Sequence, residues 1–294
     1  MELPLVALAH LDDLWFQVAG TVCNLQCSHC FISCSPHNHS FGFIDLATVR
    51  RFLDESIALG VKEYYFTGGE PFLNRDMVPI LELTLQHGPA TVLTNGTVFR
   101  PDWLKRLRAA DEASLYSLEF RVSMDGFTAA ENDAVRGVGT FERILHGVRL
   151  LLDHGFLPIL TVTRTRDDQD DGALFHGFVQ LLKANGYARP RIKILPTLRI
   201  GAEVERQRGY DADERVSAEM LTDYDTNLLV CSHSRMVTER GVHVCPILIE
   251  SSEALLGSSL AEAMGPFAIK QPACYTCYQH GALCSNASSV QRDA

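Results

Sequence analysis

No run of apolar residues approaches the ~20 needed to cross a bilayer, so a membrane-spanning protein is not expected. Positive charge is also scarce. Twenty-six Lys and Arg face 36 Asp and Glu, a net charge of −10, which argues against nucleic acid or an anionic membrane as the main partner. The N-terminus, MELPLVALAHLDDLW, has neither the basic flank nor the cleavage site of a secretory signal, so a cytoplasmic location is expected. The chain reaches its first strand-like run almost at once, so an N-terminal peptide-recognition domain is not expected. Cysteine is missing from the whole stretch between Cys34 and Cys231.

What is present is a chain of 294 residues, 46% apolar and 21% charged. That is enough for one large α/β domain of about 200–250 residues with a small appendage, and it excludes wholesale disorder. The middle of the chain alternates. Strand-like runs at 14–20, 61–66, 90–94, 117–123, 156–163 and 191–195 are separated by helical periodicity at 45–59, 76–87, 101–110, 140–154 and 171–185. Asp45 reads as an N-cap, with Gly60 and Gly155 as stops. Strands alternating with helices predict a parallel sheet with crossover helices. Six units are too few for a closed eight-stranded barrel, so the expected fold is α/β, a partial (β/α)6 TIM-like barrel. After about residue 200 the pattern breaks into a charged, loop-like stretch and then short cysteine-bearing segments. The expected organisation is a lead-in at 1–13, a barrel at 14–205, a linker at 206–230 and a cysteine-rich unit at 231–294.

The nine cysteines fall into two groups: Cys23, Cys27, Cys30 and Cys34, then Cys231, Cys245, Cys274, Cys277 and Cys284. Clustered thiols in a chain with no secretory signal point to metal rather than to a disulfide framework. Cys23, Cys27 and Cys30 form CxxxCxxC on the loop after the first strand. Three thiolates suit a [4Fe–4S] cluster with one iron left without a protein ligand, whereas an electron carrier usually has four. Zinc would need a fourth ligand, and Cys34, His37 and His39 are at hand. Polar motifs end the following strands: Thr67-Gly68-Gly69-Glu70-Pro71, Thr94-Asn95-Gly96 and Ser123-Met124-Asp125-Gly126. Chemistry in α/β folds gathers at this edge. The acidic run 166–171 reads as a solvated loop entering a helix N-terminus, and Gly137 to Thr140 as a turn and helix cap.

With CxxxCxHC at 23–30, GGEP at 68–71 and the TNG and SMDG strand ends, residues 14–200 resemble the radical SAM superfamily. The resemblance implies S-adenosylmethionine (SAM) bound to the open iron of a [4Fe–4S] cluster held by Cys23, Cys27 and Cys30. Reductive cleavage would then yield a 5′-deoxyadenosyl radical that abstracts hydrogen from substrate. It also implies cofactor contacts from Gly68, Gly69, Glu70 and Pro71 near the methionyl amino group, and from Thr94 and Asn95 near the ribose. Ser123, Asp125 and Arg136 would lie near the ribose and carboxylate, and His29 and Leu195 near the adenine. Cys34 is not expected as a ligand, because a fourth thiolate would block SAM; it is a candidate hydrogen donor.

The late group resembles a SPASM or twitch domain. Cys231, Gly241 and Cys245 match its opening, one residue short of the usual spacing, and 255–264 matches the segment that follows. CYTCYQHGALC at 274–284 matches its close, and Ser288 stands where a further cysteine is expected. Cys231, Cys245, Cys274, Cys277 and Cys284 then supply four ligands to one auxiliary [4Fe–4S] cluster; zinc is the alternative. The expected function is radical SAM chemistry on a small molecule or short peptide in a specialised biosynthetic pathway: dehydrogenation, epimerisation, or C–C or C–S bond formation. A flavodoxin- or ferredoxin-type reductant is implied. The alternatives are transfer of an aminocarboxypropyl group after atypical SAM cleavage, polar methyl transfer, and a non-catalytic zinc or Fe–S protein.

Overall fold

A computed structural model describes residues 3–166, 170–281 and 283. After a short strand, β1 (Leu5–Val6), the chain enters β2 (Asp13–Gln17) and then alternates. The order is α1 (Leu46–Ile57), β3 (Glu63–Thr67), α2 (Met77–Thr84), β4 (Ala90–Thr94), α3 (Pro101–Ala113) and β5 (Leu118–Ser123). It continues through α4 (Ala129–Arg136), α5 (Thr140–Asp153), β6 (Ile159–Thr163), α6 (Asp171–Ala184) and β7 (Arg191–Leu195). Strands β2 to β7 pair in sequence order, all parallel. The six strand readings therefore hold. The first is shorter than expected because the chain turns away at Gly20, which has φ +52° and accepts a hydrogen bond from Gln17 Nε2 at 2.8 Å.

Capping residues account for the helix boundaries. Asp45 Oδ1 accepts from Thr48 N at 2.8 Å, and Asp170 caps α6 by accepting from Ala173 N at 2.7 Å; both satisfy N–H groups that a helix start leaves open. The unanticipated α4 is only eight residues long. Its signal was Thr128 followed by Glu131, whose backbone N–H donates to the Thr128 hydroxyl, a capping pair too short in apolar periodicity to stand out.

The strands are two-faced. On β5, Leu118, Phe120 and Val122 pack outward under the helices, with Phe120 against Phe72, Phe99 and Phe156. Arg121 and Ser123 face the other way. Trp15 and Gln17 of β2 line the same cavity as Lys193 and Leu195 of β7, so the sheet curls until its first and last parallel strands share one lumen. The α/β partial barrel expected from the sequence is the observed fold.

The cysteine-bearing C-terminal stretch continues this sheet. After a short helix, α7 (Glu203–Arg206), come β8 (Ser234–Thr238), β9 (Gly241–His243) and β10 (Leu255–Gly257). Strand β8 pairs parallel with β2 on its free side, and β9 and β10 add antiparallel beyond it. A final strand, β11 (Phe267–Ala268), pairs with β1 ahead of α8 (Ala273–His280). Among the described residues no helix is long and apolar enough to cross a membrane.

Arg235 of β8 holds the C-terminal turns to the sheet. Its side chain is 1% exposed and donates to the carbonyls of Cys231, Ser234, Ala263 and Gly265. Removing it orphans buried acceptors, each costing roughly 1–3 kcal/mol. Arg235→Met is expected to destabilise the protein by about 3 kcal/mol or more, read as a fall in thermal midpoint; an unchanged midpoint would exclude this role.

Candidate active site

The loop after β2 carries Cys23, Cys27 and Cys30 to one wall of the barrel mouth. Each sulfur receives N–H groups. Cys23 Sγ accepts from Leu25 N at 3.4 Å and from Asn95 Nδ2 at 3.6 Å, Cys27 Sγ from Arg136 Nη1 at 4.0 Å, and Cys30 Sγ from Cys34 N at 3.2 Å. Burial pushes Cys23 up to about 12 and Cys27 up to about 11, so neither is a free thiolate without a metal. Three soft thiols on one wall, each supplied with an N–H donor, fit the ligand set of an Fe–S cluster, whose potential depends on such bonds.

The end of β3 fixes this loop. Gly69 N donates to Gly20 O at 2.9 Å and Glu70 N to Val22 O at 3.0 Å. A Cβ at Gly69 would overlap the Val22 carbonyl, so only glycine permits the approach. Glu70 is fully enclosed. Its carboxylate accepts from Thr94 Oγ1 at 2.8 and 2.9 Å, from Asn95 N at 2.8 Å and from Phe72 N at 3.1 Å. Burial pushes the carboxyl up to about 7 against the pull of these donors. Asn95 Nδ2, besides reaching Cys23, donates to Asn24 Oδ1 at 2.8 Å.

A second clamp is built on Asp125. Its side chain has no exposed surface and meets His29 Nε2 at 2.9 Å and Arg136 Nε at 2.6 Å. The arginine contact is a close ion pair rather than an aligned hydrogen bond, since neither atom has a hydrogen-bond partner by geometry. Asp125 Oδ1 also accepts from Thr163 N at 2.9 Å. Burial raises this carboxyl, but Arg136 and then His29 outweigh it and hold it far below the usual range.

The resulting cleft has a cavity volume of about 220 Å³. The structure brings Cys23, Cys27, Cys30, Cys34 and His29 to it from the cysteine loop. From the strand ends come Gly68, Gly69, Thr94, Asn95, Ser123 and Leu195, and from α4 comes Arg136. Three expected cofactor contacts are set back from the surface. Glu70 and Asp125 are buried behind the wall, and Pro71 begins a 3-10 turn beside Glu70. Arg136 reaches the cleft already paired with Asp125. Cys34 is buried against Cys30, and the hydrogen bonds from its thiol and backbone pull Cys30 down while pushing Cys34 up. Its thiol is thus directed at the Cys30 sulfur. Sequence reasoning missed the lumen floor, where Trp15, Gln17, Arg121 and Lys193 line the cleft. The signal was available in SLEFRVS, whose polar residues recur at every second position.

A second cavity, small (about 20 Å³) and apolar, is lined by Cys231, Cys245, Cys274 and Cys277. Burial pushes Cys231 up to about 12 and raises Cys274 further. Cys284 lies outside the described residues. Pro246 borders the first cleft while its neighbour Cys245 borders the second, and one segment of chain therefore separates the two. Among the described residues no three His, Cys, Asp or Glu groups converge to hold a single metal ion.

Residues 18–167 match the family model described as Radical SAM superfamily. The chain is 35% identical over 139 residues to the AdoMet-dependent heme synthase of Methanosarcina barkeri, covering 47% of this chain and 38% of that protein. It is 29% identical over 247 residues to the mycofactocin maturase MftC of Mycobacterium ulcerans, covering 82% of this chain and 61% of the relative. The chain thus spans less than two thirds of either relative's length. The crystal structure of Streptococcus suis SuiB bound to S-adenosylmethionine superposes with a TM-score of 0.64 at 13% identity, covering 84% of this chain and 63% of SuiB, a likeness of fold. The matched segment holds the three-cysteine loop and the polar ends of β3, β4 and β5, and by that match the chain belongs to the radical SAM superfamily.

Proposed function

We propose that this protein binds SAM at a [4Fe–4S] cluster held by Cys23, Cys27 and Cys30 and abstracts hydrogen from a small molecule or short peptide. The observation that carries the reading is the three-thiol wall, each sulfur supplied with an N–H donor, at the mouth of a barrel of this family. The cluster, when bound and reduced by a flavodoxin- or ferredoxin-type protein, supplies the electron that cleaves the sulfonium. The chain's own residues do the rest. In this reading Gly68 and Gly69 leave room at the wall for the methionyl end, and Thr94, Asn95 and Ser123 offer polar groups to the ribose. His29 and Leu195 border the adenine. Arg136 offers a cation to the carboxylate while Asp125 holds it in place. Glu70 acts from behind the wall, as the acceptor that positions Thr94 and Asn95. Enclosure of the lumen keeps water from a reactive radical.

In the same reading Cys231, Cys245, Cys274 and Cys277 hold a second [4Fe–4S] cluster, with Cys284 as the alternative fourth ligand. Four buried thiols around one apolar cavity, one residue from the cleft wall, support this and suit electron exchange with a substrate radical. Relatives named as a maturase and a synthase favour a biosynthetic setting.

Three outcomes test the assignment. Cys27→Ala is expected to abolish formation of 5′-deoxyadenosine from SAM and dithionite in reconstituted protein; retained cleavage would refute the first site. Cys245→Ala should lower iron by about four per chain while the first cluster's signal persists, and unchanged iron would remove the second cluster. Asp125→Asn leaves the Arg136 charge buried without its partner, so stability should fall by about 3–5 kcal/mol. SAM cleavage should fall about 10–100-fold, and wild-type rates and melting would show the clamp to be dispensable.

A further inference from the structure

Cys34 is the one cysteine of the early group that the proposed cluster leaves unused. It is 5% exposed and lines the cleft together with Cys23, Cys27 and Cys30. Its backbone N–H donates to Cys30 Sγ at 3.2 Å, and its thiol is directed at the same sulfur. Two donors from one residue therefore converge on one proposed ligand. A buried cysteine that binds no metal keeps its proton, so the thiol has an S–H to give.

The loop around Cys34 is built to hold this contact. Ser33, the residue before it, has φ +49°, and no other non-glycine among the described residues has a positive φ. A serine in the left-handed region carries strain that its surroundings must hold in place. Here Ser33 N donates to Cys30 O at 3.0 Å, and Ser33 O accepts from Asn38 Nδ2 at 2.9 Å. Asn38 is fixed in turn, its Oδ1 accepting from Thr21 Oγ1 at 3.0 Å. On the other side of Cys34, Ser35 O accepts from Cys23 N at 3.1 Å and Ser35 N donates to Thr21 O at 3.3 Å. Cys34 thus stands between two pinned residues, one of them strained, and faces back onto Cys30.

The consequence follows from charge. An electron entering an Fe–S cluster adds negative charge to its ligand sulfurs, so hydrogen bonds to those sulfurs favour the reduced state. We propose that Cys34 is a positioning residue that raises the reduction potential of the proposed cluster by donating its thiol S–H, alongside its backbone N–H, to Cys30 Sγ. This deepens the reading above and rests on it for the cluster. No proton moves in the step. One electron enters from the reductant, the S–H stays on Cys34, and its hydrogen bond to Cys30 strengthens.

The test uses the full chain, reconstituted anaerobically with iron and sulfide and titrated with dithionite under electron paramagnetic resonance. The first cluster is recognised as the one whose signal SAM alters. Cys34→Ala keeps the backbone N–H and removes the thiol. At the potential that half-reduces the unchanged protein, its ratio of reduced to oxidised cluster is expected to fall about three- to tenfold. Tenfold corresponds to ~59 mV for one electron. Cys34→Ser keeps a donor and should hold the ratio within about twofold of the unchanged protein. A structural role alone would move both variants alike. Cys34→Val fills the space of the thiol without a donor, and it replaces the alanine variant if that one loads no cluster. An unshifted potential without the donor, or the same shift in the serine and donor-free variants, would overturn the proposal. Absence of any SAM-sensitive cluster signal in the unchanged protein would overturn this proposal and the reading beneath it. A normal signal with unshifted potentials would sink this proposal alone.

Discussion

Asp125 is a carboxylate with no exposed surface, ionised because Arg136 and His29 are packed against it. Burying one charge is costly and burying it alone is prohibitive, so the three residues must arrive together or not at all. His29 belongs to the cysteine loop, Asp125 follows β5, and Arg136 ends α4. Through Thr163 N the same carboxylate reaches the end of β6. One electrostatic requirement therefore fixes the cysteine loop to the far side of the barrel mouth. The near side is fixed differently, by backbone hydrogen bonds from Gly69 and Glu70 to the loop and by the absence of a side chain at Gly69. Held at both edges, three cysteines that the chain could present in many ways are presented in one.

The parts of this arrangement that could be read from the sequence are those whose cause is local. Strands β2 to β7 are legible because apolar runs, caps and glycine stops recur along the chain; Asp45 caps α1 where expected, and the acidic run read as entering a helix supplies the α6 cap, Asp170. The polar strand ends were legible as motifs, yet their roles divide in a way no motif conveys. Thr94 and Asn95 reach the cleft, whereas Glu70 spends its carboxylate on them from behind. Strands β8 to β10 were not legible. They are short, lie among cysteines and histidines, and owe their existence to a free edge of β2 that only the folded sheet provides. A buried arginine, Arg235, looks in sequence like any surface cation.

The lumen floor was hidden for a related reason. Parallel strands covered on both faces usually read as unbroken apolar runs, and the polar residues inside them pass for noise. Here Glu119, Arg121 and Ser123 alternate with Leu118, Phe120 and Val122, the signature of a sheet with an apolar outer face and a polar inner one. Such alternation in the strands of a curled parallel sheet marks a polar inner face lining the lumen. The late cysteines carry the complementary lesson: their spacing resembles that of a separate cluster domain, while the fold joins that stretch to the barrel's own sheet and sets the cavity lined by Cys231, Cys245, Cys274 and Cys277 one residue from the cleft.

Radical chemistry with SAM at the three-cysteine wall, assisted by a second cluster, is what we propose for this protein. The most direct measurement is anaerobic: iron per chain after reconstitution with iron and sulfide, then the nucleoside formed on adding dithionite and SAM. Two four-iron clusters predict about eight irons and 5′-deoxyadenosine as the product. Zinc in place of iron with SAM left intact, or S-adenosylhomocysteine as the product, would contradict the account.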